Sequence, residues 1–334
     1  MTNRERVIAS LNHRQPDRVP YAIGFTQPAH AKMAQYYGDP VFAAKLGNAF
    51  CSLSASLRTD WQEVRPGHWR DEFGVVWNRT VDKDIGVIEG TVVTEDTVDS
   101  APLPDPNDPR RFEGFPKLIA ANKDQFIMAS LGFSLFERAW TMAGMENLLL
   151  WMVEKPQVAD RLLDRITEYN LAIVRNAVKH DIDCMHFGDD WGQQRGLIMG
   201  PKHWRRFIKP RIKEMYGAAK KAGKFVSIHS CGDVDELLPD LIECGLDMFN
   251  PFQPEVMDVF EVKRQFGDRL TFWGGISTQR TLPYGTPDDV RREVRTMMAE
   301  IGRDGGYVCA PAHGIPGDAP AENIAAMIEV LRTQ

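Results

Sequence analysis

The feature that most constrains the fold is a regular alternation of short apolar runs with longer amphipathic segments, which begins near residue 125. The apolar runs have the length of strands and occupy residues 125–132, 184–188, 225–229, 248–251, 270–274 and 307–311. Segments with helical periodicity separate and follow them, at 145–153, 159–178, 204–222, 234–244, 288–301 and 321–331. This repetition predicts a parallel sheet that is covered by helices.

Polar residues and glycines directly follow six of the predicted strands, and their positions distinguish a barrel from an open sheet. They are Gly132, Asp189, His229, Pro251 with Gln253, Gly275 and His313 with their neighbours. A ring of strands brings its carboxyl ends together at one face, whereas a single sheet edge rarely collects so many. No Gly-x-Gly-x-x-Gly follows the first strand, so a dinucleotide-binding fold lacks support. We therefore predict an α/β fold, a (β/α)8 TIM barrel, as a single domain over residues 1–334.

Two additions to the barrel are expected in the N-terminal third. The first 18 residues have the pattern of a helix, and the prolines at 16 and 20 separate it from an extended segment at 21–24. This pattern predicts an N-terminal helical cap before the first strand. Aromatic and β-branched residues become frequent between 61 and 89, in two extended runs separated by turns. These runs predict a β-hairpin insertion.

Composition excludes several classes of partner. The chain has 40 Lys and Arg against 46 Asp and Glu, a net charge of −6, without a basic stripe that would bind nucleic acid. No run approaches the roughly 20 apolar residues of a membrane-spanning helix, and the charged N-terminus does not resemble a signal peptide. We expect a cytoplasmic protein that binds neither nucleic acid nor membrane. Five cysteines, an odd number, predict reduced thiols rather than a disulfide framework.

A metal site is predicted around His229 and Cys231, at the end of the run 225–231. Side chains two residues apart in an extended chain point the same way, and zinc binds both imidazole and thiolate. The spacing alone is a weak indication, because a hydrogen-bonded histidine beside a buried cysteine has the same pattern. A catalytic zinc uses three protein ligands, so a third donor is expected at another strand end. His313 follows the last strand and is our choice, with Cys309, Glu137 and Asp189 left open as further groups.

Acidic residues near the strand ends are the catalytic candidates. Asp189 and Asp190 directly follow a strand, where a carboxylate can orient a metal-bound histidine or act as a general base. The alternative for Asp190 is the N-cap of a following helix. Glu137 is the third candidate, and a surface pair with Arg138 is its alternative. No Ser-His-Asp triad and no phosphate-binding loop is recognisable.

Substrate-binding residues are expected on the loops that follow the strands. Loops at 25–30 and 133–138 are predicted to set substrate choice, and Gln194 and Gln253 offer uncharged hydrogen-bonding groups. Phe133 and Trp191 offer aromatic surface. These four residues are our predicted substrate contacts.

The chain resembles the uroporphyrinogen decarboxylase-like superfamily. Matching motifs include His229-Ser230-Cys231-Gly232 and stretches at 3–7, 16–20, 71–74, 136–140, 188–194, 250–253, 273–276, 310–315 and 320–324. The resemblance implies a single (β/α)8 barrel. True uroporphyrinogen decarboxylases carry Arg-Gln-Ala-Gly-Arg near the N-terminus to hold substrate carboxylates, and residues 24–30 contain no arginine. This departure favours the zinc-dependent, corrinoid-linked methyltransferase branch.

The methyltransferase branch implies that zinc is held by His-x-Cys and a later cysteine, and this chain has His313 at that later position. Imidazole is as acceptable to zinc as thiolate. The resemblance then implies that a methyl group moves between a small substrate and a corrinoid cofactor on a partner protein. That substrate would be a methylated O, N or S compound, or a thiol or folate acceptor.

Two other functions stay open on the sequence. One is a metal-independent decarboxylase or lyase that acts on a small carboxylated substrate. The other is a non-catalytic module that binds a corrinoid or small ligand. The sequence does not name the methyl donor or acceptor, and it leaves the oligomeric state open, with a homodimer among the alternatives.

Overall fold

A parallel sheet lies at the centre of the molecule and carries the strand-helix repeat. The computed structural model describes residues 1–57 and 60–334. Its strands are β1 (Phe50–Ser54), β2 (Gln62–Arg65), β3 (His68–Arg70), β4 (Val76–Asn78), β5 (Val87–Glu89), β6 (Phe126–Leu131), β7 (Cys184–Gly188), β8 (Gly192–Gln193), β9 (Gly196–Leu197), β10 (Phe225–His229), β11 (Met248–Phe252), β12 (Thr271–Ile276) and β13 (Tyr307–Pro311). Seven of them form one parallel sheet, in the order β1-β6-β7-β10-β11-β12-β13. Each of the six predicted apolar runs forms one of these strands, and β1 was not predicted.

Helices alternate with the parallel strands. They are α1 (Asn3–Leu11), α2 (Gln27–Tyr37), α3 (Phe115–Ala121), α4 (Phe136–Ala143), α5 (Met145–Glu154), α6 (Pro156–Ala177), α7 (Gly200–His203), α8 (Lys209–Lys221), α9 (Leu238–Glu243), α10 (Val259–Phe266), α11 (Thr281–Tyr284), α12 (Pro287–Thr296) and α13 (Ala321–Thr333). The 22 residues of α6 place an apolar face in the core, because Leu162, Ile166 and Ile173 recur at helical spacing. Across residues 1–57 and 60–334, no helix is both long enough and apolar enough to cross a bilayer.

An extended segment before α2 connects the two outer strands of the sheet. On one side, the backbone N–H of Ala22 donates to the carbonyl of Cys309 at 3.1 Å, and Tyr21 forms a parallel bridge with the same residue. On the other side, the N–H of Ala49, just before β1, donates to the carbonyl of Tyr21 at 2.8 Å. These bonds join β13 to β1 through this segment. The fold is therefore α/β, with a parallel sheet that curls back on itself.

The side chain of Asn48 forms hydrogen bonds to the extended segment in place of the backbone pairing that a regular neighbouring strand would provide. Its Oδ1 accepts from the backbone N–H of Ile23 at 2.9 Å, and its Nδ2 donates to the carbonyl of Ile23 at 3.0 Å. These two hydrogen bonds satisfy both the backbone N–H and the backbone carbonyl of Ile23, which is 5% exposed. A buried backbone group without a partner costs free energy, so the amide stabilises the join.

The N-terminal helix packs on one end of the sheet. Val7 and Leu11 of α1 are buried and belong to a hydrophobic cluster with Phe126, Cys184 and Met248 from three parallel strands. A capping box at Thr2 and Glu5 fixes the start of the helix. These contacts fill the space between the strands at the end opposite to the loops that carry the candidate site.

The insertion between residues 62 and 89 differs from the single hairpin that we expected. It is a four-stranded antiparallel sheet in the order β2-β3-β4-β5. The extended run expected across residues 69–77 is broken at Asp71, whose Oδ1 accepts from the backbone N–H groups of Phe73 and Val75 at 2.9 Å. Gly74 follows with φ of 84°, a left-handed conformation that suits glycine. This turn makes two strands where the composition predicted one.

We predict that Asn48→Ala lowers the free energy of unfolding by about 1–3 kcal/mol, because both backbone groups of Ile23 lose their partners. Urea denaturation followed by circular dichroism measures the effect. Asn12→Ala is the control, since the exposed Asn12 amide only caps the end of α1. An equal and small loss in both variants would contradict the role of Asn48.

Candidate metal centre

Three side chains from two strand ends converge at one place. His229 is the last residue of β10, Cys231 follows it by two residues, and His313 lies two residues beyond β13. Their candidate ligand atoms lie within 4.8 Å of one another, and Cys231 Sγ is 3.3 Å from His229 Nε2. A tetrahedral zinc with bonds of about 2.0–2.3 Å holds its donors about 3.5 Å apart. The arrangement therefore fits zinc after a contraction of about 1 Å.

The orientation of His229 is set by Asn250, on the neighbouring strand β11. Asn250 Nδ2 donates to the carbonyl of Trp273 at 2.9 Å, so its Oδ1 faces His229 Nδ1 at 2.5 Å. An amide oxygen accepts, so His229 Nδ1 carries the proton and Nε2 presents its lone pair toward Cys231. Metal-binding histidines commonly have such a partner on the second ring nitrogen.

The position of Cys231 depends on Asp190 and on a close approach of two glycines. Asp190 Oδ1 accepts from the backbone N–H of Cys231 at 2.8 Å. Gly232 has φ of 89°, and a Cβ there would lie 2.3 Å from the carbonyl carbon of Gly192. Only glycine allows this contact, which holds the loop against β8. The alternative role of Asp190 as a helix N-cap is not observed, since strand β8 follows it.

Burial has a strong effect on the thiol of Cys231. Burial raises its pKa well above the usual range, and the carboxylates of Asp190 and Glu137 act in the same direction. Binding of a metal ion as thiolate would therefore release a proton.

Asp189 is fully buried and accepts four hydrogen bonds. Three come from the backbone N–H groups of Leu135, Phe136 and Glu137 at 2.8–3.2 Å, and one comes from the indole of Trp191 at 2.6 Å. Burial raises the pKa of Asp189 to about 6, while these donors favour the carboxylate. Asp189 thus caps the start of α4 from a distant part of the chain. Its oxygens are occupied by these contacts rather than directed at the donor cluster.

Glu137 lies in the first turn of α4 and interacts with both Asp190 and Cys231. Burial raises its pKa well above the usual range, and the charges of Asp190 and Asp189 raise it further. Glu137 also lies close enough to Cys231 to raise the pKa of that thiol. The neutral carboxyl is therefore favoured beside the donor cluster.

Two cavities are each lined in part by residues of the donor cluster His229, Cys231 and His313. The inner cavity, of about 350 Å³, lies among the strands and is lined by His229 and His313. The outer cleft, of about 360 Å³, is lined by Cys231, His313 and the predicted substrate contacts Gln194 and Gln253. Gln253 Oε1 also accepts from the backbone N–H of Gly232 at 3.3 Å.

The two aromatic substrate candidates lie elsewhere. Phe133 lines a third cavity, beside Glu137. Trp191 is fully buried, with its ring against Trp204 at a centroid distance of 5.3 Å. This burial corrects the expectation that Trp191 contacts substrate, because its surface is occupied by the core. Cys309, which the sequence left open as a further metal ligand, is also buried. It lies within β13, outside the donor cluster.

His186 was not selected from the sequence, yet it lines the inner cavity. Its Nδ1 is 2.9 Å from Ser227 Oγ, and its ring lies 5.4 Å from that of Trp273. Burial lowers its pKa to about 3, and the nearby His229 adds to the effect. His186 is a polar residue at the centre of the otherwise apolar strand β7, and Asn250 is a polar residue within β11. Such a position in the sequence could have marked both as candidate site residues.

We predict that Asn250→Leu weakens zinc binding by about 10–100-fold, because His229 loses the acceptor that holds its ring and tautomer. Zinc affinity is measured by competition with a chromophoric chelator. Asn250→Asp keeps an acceptor for His229 Nδ1 but loses the donor to the carbonyl of Trp273, so it should retain more zinc affinity than Asn250→Leu. Wild-type affinity in Asn250→Leu would show that Asn250 does not orient the ligand.

We predict an acid-dependent loss of stability that arises from His186. Its pKa is about 3 in the folded protein and about 6.5 in an unfolded chain. Below pH of about 6.5 the unfolded chain binds a proton at this histidine and the folded protein does not, so the free energy of unfolding falls by about 1.4 kcal/mol per pH unit. Above that pH the contribution of His186 does not change. Denaturation of metal-free wild type and His186→Gln between about pH 6 and 4.5 tests this. The wild type should lose more stability than the variant, and parallel pH profiles would contradict the assignment.

The chain is similar in sequence to proteins with two different names. Over 188 residues it is 27% identical to methylcobamide:CoM methyltransferase MtaA from Methanosarcina barkeri, covering 56% of this chain and 52% of that protein. Over 218 residues it is 24% identical to uroporphyrinogen decarboxylase from Chlorobaculum tepidum, covering 61% and 59%. The chain thus spans about half the length of the curated relatives it matches.

A solved structure of a methyltransferase from Methanosarcina mazei has the same fold. Its TM-score is 0.74 at 20% identity, and the match covers 99% of this chain and 98% of that one. The family model for uroporphyrinogen decarboxylase (URO-D) matches residues 78–334, about three quarters of the sequence. This confirms the superfamily prediction, and the chain belongs to the uroporphyrinogen decarboxylase (URO-D) family.

Proposed function

We propose that this protein is a zinc-dependent methyltransferase that moves a methyl group between a small substrate and a corrinoid cofactor on a partner protein. The observation that carries the proposal is the convergence of His229, Cys231 and His313, with two nitrogens and one sulfur within 4.8 Å. Three protein donors leave one position of a tetrahedral metal for a substrate atom. The similarity to a methylcobamide:CoM methyltransferase supports the corrinoid partner.

His229, Cys231 and His313 would hold the metal, and Asn250 would keep His229 in the binding tautomer. Zinc bound there would act as a Lewis acid on a substrate heteroatom. In the demethylating direction, a reduced corrinoid on the partner protein would supply the electron pair for the new bond to the methyl group. The heteroatom keeps the electron pair of its former bond to the methyl group and takes up a proton.

Glu137 is the residue that we assign to proton transfer. Its favoured neutral form carries the proton that the departing heteroatom needs. Asp189 is less suited to this step, because four donors occupy its two oxygens. We assign Asp189 and Asp190 to positioning, since they hold the backbone of Glu137 and of Cys231 respectively.

The two cavities at the cluster suggest how the two reactants approach. The inner cavity lies among the strands, and we assign the small substrate to it; the outer cleft lies beside Gln194 and Gln279, and we assign the approach of the partner's cofactor to that side. His313 borders both, so a group bound at the metal can be reached from either side.

A metal-independent decarboxylase is the second candidate, favoured by the similarity to uroporphyrinogen decarboxylases. Among the described residues that line the inner cavity and outer cleft, none is a lysine or arginine. A substrate with several carboxylates would lack a cationic partner there. This charge pattern supports the methyltransferase over the decarboxylase.

The barrel itself is part of the proposal. We propose that the extended segment at residues 20–25 serves as the eighth member of a (β/α)8 barrel, and that residues 1–334 form one domain. Its hydrogen bonds to Cys309 and from Ala49 support this assignment.

We predict one zinc ion per chain in the purified protein, and loss of more than 90% of it in Cys231→Ala and His313→Ala, because each variant leaves two of three ligands. Elemental analysis measures the metal. Cys309→Ala is the matched control and should keep zinc, since Cys309 lies outside the cluster.

The same variants separate the two candidate reactions. Methyl transfer from methylcobalamin to a thiol acceptor, followed by the cobalamin absorbance, should require the metal and stop with a chelator. Full activity of chelated protein, or zinc content unchanged in both cluster variants, would overturn the proposed mechanism.

A further inference from the structure

A third cavity lies between the antiparallel insertion and helix α4, apart from the inner cavity and outer cleft. Its volume is about 500 Å³, within the usual range for small-molecule sites. Three aromatic side chains line it, Trp77, Phe133 and Trp140, and Met145 adds a thioether. We call this space the aromatic cavity. No part of the proposed metal cluster lines it.

The aromatic cavity is nearly free of charge. Glu137 is the one ionisable side chain among its lining residues that the structure describes. The nearby cation Arg138 is already paired, with Nη1 3.1 Å from Asp71 Oδ2 and its guanidinium over the ring of Phe73 at 3.9 Å. An anionic ligand would therefore find no counter-charge, which favours an uncharged one.

The aromatic walls are held in place by specific contacts. Trp77 Nε1 donates to Asp71 Oδ2 at 3.1 Å, which directs its polar group away and leaves ring surface for the cavity. Phe133 lies edge-to-face with Trp77 at 5.4 Å. Its φ of 48° is a left-handed conformation that a bulky residue rarely adopts. Backbone strain of this kind is concentrated at ligand sites.

The lining of the aromatic cavity combines exposed apolar side chains with a single carboxyl. Ile85 and Val87, on the insertion, are 50% and 65% exposed and border the cavity. Glu137 also lines the cavity, and no other carboxyl, amide or hydroxyl side chain does so among the described residues. A hydroxyl group can both donate to and accept from a carboxyl, whichever its protonation state.

We propose that the aromatic cavity binds an uncharged phenolic molecule, with its ring among Trp77, Phe133 and Trp140 and its hydroxyl on the Glu137 carboxyl. Contacts between aromatic rings stabilise such a complex by more than the burial of apolar surface alone would. Because the lining has a single carboxyl, we expect a ligand with one hydroxyl group that hydrogen-bonds to it. This site shares Glu137 with the proposed function but goes beyond it, because its ligand contacts require neither zinc nor methyl transfer.

The test is calorimetric titration of the full chain with 4-methylphenol, toluene and 4-methylbenzoate. We expect saturable binding of 4-methylphenol, binding of toluene about tenfold weaker because one hydrogen bond is lost, and none of 4-methylbenzoate. Zinc-loaded and chelated protein should give the same affinities, so this result is independent of the metal proposal.

Two variants assign the binding to the cavity. Glu137→Leu should reduce 4-methylphenol affinity about tenfold and leave toluene binding intact, which also shows that the cavity is still folded. Trp140→Ala should weaken both ligands. Tyr284→Ala is the control, since Tyr284 is 79% exposed and lies outside the aromatic cavity. Absence of saturable phenol binding, preference for the benzoate, or unchanged phenol and toluene affinity in Trp140→Ala would overturn the proposal.

Discussion

The buried carboxylate of Asp189 is the interaction on which the C-terminal face depends. Its oxygens accept three N–H groups at the start of α4 and the indole N–H of Trp191. Separating these groups would leave a buried charge or buried donors without partners, which is costly. The contact therefore fixes where α4 begins and places Glu137 in its first turn. The adjacent Asp190 holds the backbone of Cys231, so two consecutive acids connect helix α4 with the donor cluster.

The charge balance of this region explains why a cation suits it. Burial and the charges of Asp190 and Glu137 raise the pKa of the Cys231 thiol, and burial and the charges of Asp190 and Asp189 raise the pKa of Glu137. Several anions in a region that excludes water destabilise one another unless a cation or a proton offsets them. The proposed zinc would offset this charge at Cys231, while Glu137 holds a proton. Glu137 also lines the aromatic cavity, whose described lining contains no cation.

Much of the site was predictable because parallel strands end at one face. His229, Cys231 and His313 were selected as residues that follow strands, and the structure brings them together. Asn250, which orients His229, and His186, which lines the inner cavity, were not selected. Asn250 and His186 lie within strands, where a polar side chain gives no indication of whether it faces the core, a cavity or a neighbour. Trp191 illustrates the reverse error, since its position after a strand suggested a cavity wall but its ring is buried.

The sequence by itself determined the strand-helix repeat, the location of the polar strand ends and the donor types, because local periodicity and residue chemistry are sufficient for these. The tertiary structure alone decided which side chains meet. The join between β13 and β1 depends on single bridges and on the Asn48 amide rather than on a strand pattern. The role of Asp189 depends on a helix about fifty residues earlier in the chain. Such contacts are set by packing between distant segments, which no local pattern encodes.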